Sequence, residues 1–150
     1  MKLEEIKKLM SNVEYKQMVY QTNRNLEILC DGVYKNYQFY ILNLGTHPTA
    51  YIEIPKISKL FGKTYDELYE MGIDVDVHGG LTYSNSYLQN IKRDTWFIGW
   101  DYAHWNDYAG YEEYMPKDIR TNGKKWTTEE IFEDVVNAIE QIKEKENLYE

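Results

Sequence analysis

The chain has 150 residues, 43% of them apolar, which suits one domain with a sizeable core and leaves little room for two. Its 25 acidic residues outnumber 17 lysines and arginines, and the formal charge of −8 argues against non-specific binding to nucleic-acid phosphates. The single cysteine cannot form an intramolecular disulfide. No apolar run is typical of a membrane span or a signal peptide. We therefore expect a cytoplasmic protein without membrane contact.

The N-terminal part is predicted to hold one short helix and a meander of strands. Residues 2–10 carry apolar side chains at helical spacing. Residues 26–30 and 33–44 are typical of paired strands, with a turn expected at Asp31-Gly32. A third strand is predicted over residues 51–54, after a break at a proline, which cannot donate to a ladder.

The C-terminal part is predicted to complete the sheet and to end in a helix. One helical turn is expected around residues 65–69, an extended piece over residues 73–83, and a central apolar strand over residues 95–101. Thr127 and Glu130 form a capping-box pattern that starts a helix running to about residue 146. We therefore expect one α+β domain over the whole chain, with an antiparallel-rich sheet packed against the terminal helices.

The segment around the first candidate site ends in two glycines. On an extended chain the period of two places Asp74, Asp76 and His78 on one face. Gly79 and Gly80 permit a tight turn and the close approach of a ligand or another backbone. The alternative is that Asp76 and His78 hydrogen-bond each other or cap loop amides.

The second candidate site follows the predicted central strand. Asp101, His104 and Asp107 are spaced three apart, so they share a face if the segment is helical. Two carboxylates and an imidazole can hold a divalent ion. The alternative is a loop stabilised by pairing of the acids with the histidine. His47, on a turn between two strands, joins these groups only if the fold brings the strand ends together.

Four segments carry a further pattern: His47 with Tyr51-Ile52-Glu53-Ile54-Pro55, then Gly62-Lys63-Thr64-Tyr65-Asp66, then Asp74-Val75-Asp76-Val77-His78-Gly79-Gly80-Leu81-Thr82-Tyr83-Ser84, and Trp96-Phe97-Ile98-Gly99-Trp100-Asp101-Tyr102-Ala103-His104 with Asp107. Over roughly residues 43–108 the chain resembles a family of small uncharacterised proteins of phages and prophages. Asn106 stands where those relatives tend to carry glycine. The resemblance implies a small phage-type accessory protein and supplies no mechanism.

Two functions of different classes fit these residues, and both need a pocket. In the first, the protein binds a small polar, nucleotide-like ligand and sequesters a host defence signal. The residues expected to line that ligand pocket are His47, Gly79, Gly80, Tyr83, Trp100, Tyr102 and Trp105.

In the second, the protein is a metal-dependent hydrolase of the phosphoesterase type, in which a divalent ion activates water. Its expected catalytic residues are Asp76, His78, Asp101 and His104, and the expected metal ligands are these four with Asp107. A third alternative is a protein–protein role in which the cluster is structural. The oligomeric state, including a homo-oligomer, stays open.

Overall fold

The computed structural model describes residues 1–12, 26–45, 47–104, 107 and 123–147. Its helices are α1 (Leu3–Ser11), α2 (Tyr65–Glu70) and α3 (Thr128–Asn147), and its strands are β1 (Glu27–Tyr34), β2 (Tyr37–Asn43), β3 (Pro48–Glu53), β4 (Tyr83–Asn85) and β5 (Phe97–Asp101). The strands form one sheet in the order β1-β2-β3-β5-β4, with each neighbouring pair antiparallel. The predicted α+β class with terminal helices is confirmed.

The first hairpin turns later than the sequence predicts. Asp31-Gly32 does not form the turn, because both residues stay within β1, where Gly32 pairs with Phe39. The chain reverses at Lys35 and Asn36, with φ of 45° and 73°. Two successive left-handed residues are the geometry of a type I′ turn, whose twist matches that of the flanking strands.

Three strand boundaries differ from expectation. β3 begins at Pro48, a first-residue position that a proline tolerates, and pairs it with Asn43. β5 begins at Phe97, since the amide of Thr95 donates instead to the carbonyl of Ser86. In the piece predicted as extended over residues 73–83, only the last residue belongs to a strand, β4.

Residues 73–77 alternate in burial without belonging to a strand. Ile73, Val75 and Val77 point into the core, while the intervening acids are exposed. Here the backbone of Asp76 bonds to a side chain on α3: Gln141 Oε1 accepts from its amide at 2.7 Å and Gln141 Nε2 donates to its carbonyl at 3.0 Å. The alternation of apolar residues in this segment therefore indicates which side chains are buried and does not indicate pairing with a strand.

Capping boxes start both later helices. The Thr127 hydroxyl accepts from the amide of Glu130 at 3.2 Å, and the Glu130 carboxylate accepts from the amide of Thr127 at 3.1 Å, as predicted for α3. The same reciprocal pair, Thr64 with Glu67, starts α2. No helix in the described ranges is long and apolar enough to cross a lipid bilayer.

The two faces of the sheet carry cores of unequal size. On one face α1, α3 and the segment 73–77 cover a large apolar cluster that includes Phe39, Ile52 and Phe132. On the other face a smaller cluster of buried side chains consists of Tyr40, Leu42, Tyr51, Leu88 and Phe97. The candidate site lies at the rim of the larger core, where β5 ends and α3 begins.

Candidate metal centre

A buried carboxylate, Asp107, is the centre of the site. His78 Nε2 lies 3.0 Å from its Oδ1 and 2.8 Å from its Oδ2. His104 approaches Oδ2 twice, through the backbone amide at 2.9 Å and through Nδ1 at 3.1 Å. The indole of Trp126 donates to Oδ1 at 2.8 Å. One carboxylate therefore holds together the glycine turn, the end of β5 and the start of α3.

The pKa of Asp107 results from two opposed effects. Burial of its side chain, which is 2% exposed, acts to raise this pKa. The hydrogen bonds from the His104 amide, His78 and Trp126 act in the other direction and outweigh burial, so the pKa lies below its ordinary value. Asp107 is an anion in a nearly enclosed position.

Gly79 brings the glycine turn against the second histidine. Its φ is +71°, and a Cβ placed there would lie 2.3 Å from Cε1 and Nε2 of His104. Gly80 has a similar φ of +78° but open space around it, and its amide closes the turn onto the carbonyl of Val77 at 2.9 Å. Only the first glycine is therefore needed for the contact between the two histidine segments.

Asp101 lies on the far side of the His104 ring. Its Oδ1 is 3.8 Å from His104 Nε2, whereas Nδ1 of the same ring faces Asp107. The carboxylate is fixed by the amide of Ala103 at 3.1 Å and by the hydroxyl of Thr82 at 3.3 Å. Residues 101–104 carry no helix, and the expected triple does not gather at one point: the two carboxylates face different nitrogens of the His104 ring, and Asp101 lies outside the group of possible ligands.

The ring of His78 packs on Tyr102, which belongs to a buried series of hydrogen bonds. It stacks on Tyr102 with the ring centroids 5.0 Å apart and the planes 3° from parallel. Trp100 Nε1 donates to the Tyr102 hydroxyl at 2.9 Å, and that hydroxyl donates to Asp134 on α3 at 2.7 Å. Burial, reinforced by Asp134, raises the pKa of Tyr102, and burial likewise raises the pKa of Asp134. Tyr102 is thus a fixed, protonated donor.

Three of these side chains, His78, His104 and Asp107, have possible metal-ligand atoms close to one another. One ligand atom each from His78, His104 and Asp107 lies within 4.8 Å of the others. Around a tetrahedral ion with bonds of about 2.0–2.1 Å, ligand atoms sit roughly 3.3 Å apart. The 2.8 Å separation of His78 Nε2 and Asp107 Oδ2 therefore needs to widen only slightly to admit an ion.

Several residues predicted for the site lie elsewhere. Asp76 is exposed and outside the three-residue group, because the alternation that buries Val75 and Val77 turns it to solvent. His47, next to the first residue of β3, is also outside that group. Trp105 lies outside the described residues.

Three of the aromatic residues expected to stack on a ligand, Trp100, Tyr102 and Tyr83, are not positioned to do so at this site. Trp100 and Tyr102 are buried at 1% and 0% exposure, so their rings offer no face to a ligand. Tyr83 belongs to the opposite face of the sheet, where its ring contacts Tyr51 and Tyr87 at 5.2 and 6.4 Å between centroids. Burial raises the pKa of Tyr83 to about 12.

Sequence reasoning missed two members of the site, Trp126 and Asp134. The signal for Asp134 is its position on α3, three residues after Ile131 and four before Ala138, which places a carboxylate beside the apolar stripe. For Trp126 the only signal is a buried-type aromatic residue with a donor that needs a partner. Neither signal names the partner.

Comparisons of the chain with models of protein families, with curated proteins and with solved structures found no match. The resemblance to the phage and prophage family therefore stays a prediction.

Proposed function

We propose that the protein binds one divalent transition-metal ion through His78, His104 and Asp107 and uses it to hydrolyse a phosphoester bond. The observation that carries this proposal is the convergence of two imidazole nitrogens and a carboxylate within 4.8 Å. Two imidazoles and one carboxylate are a ligand set typical of catalytic zinc, and three protein ligands leave a coordination position for water. A metal ion lowers the pKa of such a water towards neutrality.

The groups around the three ligands support this assignment. A histidine that ligates a metal through one nitrogen usually donates its other N–H to a carboxylate or carbonyl, which fixes the ring and its tautomer. With Nδ1 of His104 towards the centre, its Nε2 faces Asp101. The indole N–H of Trp126 on Asp107 orients the carboxylate in the same way. We infer that Asp101 and Trp126 are positioning residues for the ion.

The exposure of the three ligands supports an open coordination position on the solvent side of the ion. The side chains of His78 and His104 are 25% and 37% exposed, whereas Asp107 is 2% exposed. An ion held by the three would therefore keep its free coordination site on the histidine side, where a substrate can reach it. We propose as substrate a small nucleotide-like phosphoester, the ligand class that the sequence suggested for the binding alternative, and the cytoplasm as the place of action.

The proposal favours hydrolysis over simple sequestration of a ligand at this site. Sequestration depended on stacking between aromatic rings, and burial removes Trp100 and Tyr102 from that role. In contrast, three of the five predicted metal ligands, His78, His104 and Asp107, lie within 4.8 Å of one another, which supports a metal-dependent function. Sequestration, with the phage-type accessory role attached to it, is retained as an outcome that the experiment can reveal.

The test measures zinc stoichiometry and affinity before it measures turnover. Protein purified without chelator is weighed by native mass spectrometry, stripped, and titrated with Zn²⁺ by calorimetry. We expect one ion per chain, and a loss of affinity in D107N and H104Q that exceeds the roughly 10- to 100-fold loss expected for the positioning variant D101N. D76N removes an exposed carboxylate from the neighbouring segment and should bind zinc as the unchanged protein does.

Turnover is then measured on a chromogenic phosphodiester with and without the ion. Metal-dependent hydrolysis that D107N abolishes supports the proposal. Zinc binding without turnover of any phosphoester would restrict the site to binding. A folded protein, by circular dichroism, that binds no divalent ion at any concentration below denaturing ones would make the cluster purely structural.

A further inference from the structure

A second, unrelated groove lies in the connection between β4 and β5. It is an open groove of about 480 Å³ with exposed lining residues, within the roughly 300–1,000 Å³ typical of small-molecule sites. The side chains that line it are Ser86, Tyr87, Gln89, Asn90, Arg93 and Asp94. None of them belongs to the metal centre, and the groove accompanies the smaller core on the opposite face of the sheet.

The connection is held in place at several points. Leu88 is fully buried, and its amide donates to the carbonyl of Lys92 at 2.9 Å. Lys92 pairs with Glu53 of β3 at 2.6 Å. The Tyr83 hydroxyl donates to the carbonyl of Tyr87. The groove is therefore a shaped part of the fold, with its lining side chains on a fixed backbone.

Two lining residues have left-handed backbones that favour glycine. Gln89, with φ of 47°, is the first central residue of a tight turn closed from the Ile91 amide to the Leu88 carbonyl at 2.9 Å. Asp94 has φ of 57°. Such conformations persist in side-chain-bearing residues where the surrounding structure imposes them, and they concentrate at ligand sites. Here they turn a carboxamide and a carboxylate towards the same groove.

Four polar side chains of the groove have no partner. Within the described residues, Gln89, Asn90, Arg93 and Asp94 make no side-chain hydrogen bond or ion pair. They present two carboxamides, one guanidinium and one carboxylate, all planar groups that recognise ligands through paired hydrogen bonds. This differs from the metal centre, where the corresponding groups bond to one another.

An aromatic ring completes the groove. Tyr87 is 46% exposed, and its ring meets Tyr83 edge-to-face at 6.4 Å between centroids. Tyr83 in turn meets Tyr51 of the core at 5.2 Å, so a series of aromatic contacts fixes the orientation of Tyr87. A fixed, half-exposed ring suits the stacking of a flat heterocycle.

We propose that this groove binds a mononucleotide. The base stacks on Tyr87, its polar edge is read by the amides of Gln89 and Asn90 and the carboxylate of Asp94, and its phosphate is held by Arg93. Asp94 can only accept hydrogen bonds, so it selects a base with adjacent N–H donors, which guanine has. Arg93 supplies one fork of donors, which suits a single phosphate rather than a chain of them. The proposal does not rest on metal binding at the other site.

The experiment compares three probes on the metal-free protein by calorimetry and by NMR. The probes are guanosine monophosphate, guanosine and inorganic phosphate. We expect saturable binding of the nucleotide, weaker binding of the nucleoside, and the weakest binding of phosphate. R93Q should raise the Kd of the nucleotide about tenfold or more and leave that of the nucleoside unchanged, whereas Y87A should weaken both.

One control separates this site from the rest of the molecule. K7Q removes one positive charge from α1, on the other face of the sheet, and should leave binding unchanged. Absence of saturable nucleotide binding, or an R93Q protein with unaltered affinity, would each overturn the proposal.

Discussion

The two faces of the sheet treat their polar side chains in opposite ways. At the rim of the α3 face, Asp107 accepts from His78, His104 and Trp126, and Tyr102 donates to Asp134, so buried polar groups satisfy one another. On the opposite face Gln89, Asn90, Arg93 and Asp94 make no side-chain hydrogen bond or ion pair with any described residue. The first arrangement brings three distant segments together around one carboxylate. The second leaves hydrogen-bonding capacity that only a ligand or water can satisfy.

The largest expected effect tests whether the two faces also differ in their contribution to stability. Phe39 and Phe97 are both fully buried strand residues, the first packed edge-to-face on Phe132 of α3 and the second on Tyr40. Truncation of a buried phenylalanine to alanine costs about 3–5 kcal/mol, and the cost grows as the cavity relaxes less. In urea unfolding we expect the loss of unfolding free energy to be near the upper end of this range for F39A and near the lower end for F97A.

The reason is the neighbourhood of each ring. Around Phe39 the neighbours are themselves enclosed by α3, whereas around Phe97 partly exposed side chains such as Ile91 can move into the space. Equal losses of unfolding free energy in the two variants would mean that the smaller core is as rigid as the larger one. A greater loss of unfolding free energy in F97A would mean that the smaller core is the more rigid of the two.

Much of the fold follows from local patterns. The capping box at Thr127 and the apolar stripe predict α3, and the dense apolar residues of β5 predict a buried strand. Residues 73–77 show where this reasoning fails. Their alternation is that of a strand, but they belong to no strand, and the backbone of Asp76 bonds to the Gln141 side chain instead. Periodicity reports which side is buried and carries no information on the hydrogen-bonding partner.

The candidate site was predictable only where its members are close in sequence. Asp101 and Asp107 both reach the ring of His104, because a spacing of three residues allows it in a turn as well as in a helix, but only Asp107 also joins His78. Trp126 and Asp134 come from the start of α3, and no local pattern relates them to a histidine many residues earlier. Asp76 does not join the cluster, since it is exposed, whereas His78 at the glycine turn that follows is partly buried against Asp107.

The second expected effect tests whether the contact between the glycine turn and His104 preforms the metal centre. G79A and G80A each place a Cβ at a left-handed position, with an expected loss of about 1–2 kcal/mol of unfolding free energy in both. Only the Cβ of G79A meets the His104 ring, at 2.3 Å. The ring can rotate away, so the additional effect should fall on zinc affinity, with a loss of about 10- to 100-fold.

G80A is the matched control, since it has the same strain and open space around the new methyl group. Unfolding by denaturant measures the shared cost, and calorimetric titration with Zn²⁺ measures the difference. Equal zinc affinities in the two variants would show that the approach of Gly79 to His104 has no part in holding the ligands.

The smallest expected effect concerns Asp31, an acid on the face of the sheet that carries the smaller core. Asp31 pairs with Tyr40 across β1 and β2, and one of its carboxylate oxygens is buried with no hydrogen-bond partner in the described parts of the chain. Burial raises the pKa of Asp31 above its ordinary value. A carboxyl group with a raised folded-state pKa contributes stability that is present below the unfolded pKa of about 3.9 and is lost as the pH rises through the folded value.

At neutral pH the unchanged protein therefore holds an unfavourable charge on this face, which D31N removes. We expect D31N to have the higher Tm at pH 7, by a few degrees at most, and the difference to vanish as the pH falls below about 4. D76N removes a charge from an exposed position and should not reproduce that convergence. A D31N protein less stable than the unchanged one at pH 7 would mean that the carboxylate has a favourable partner after all. The contrast between paired and unpaired polar groups would then apply to the groove alone.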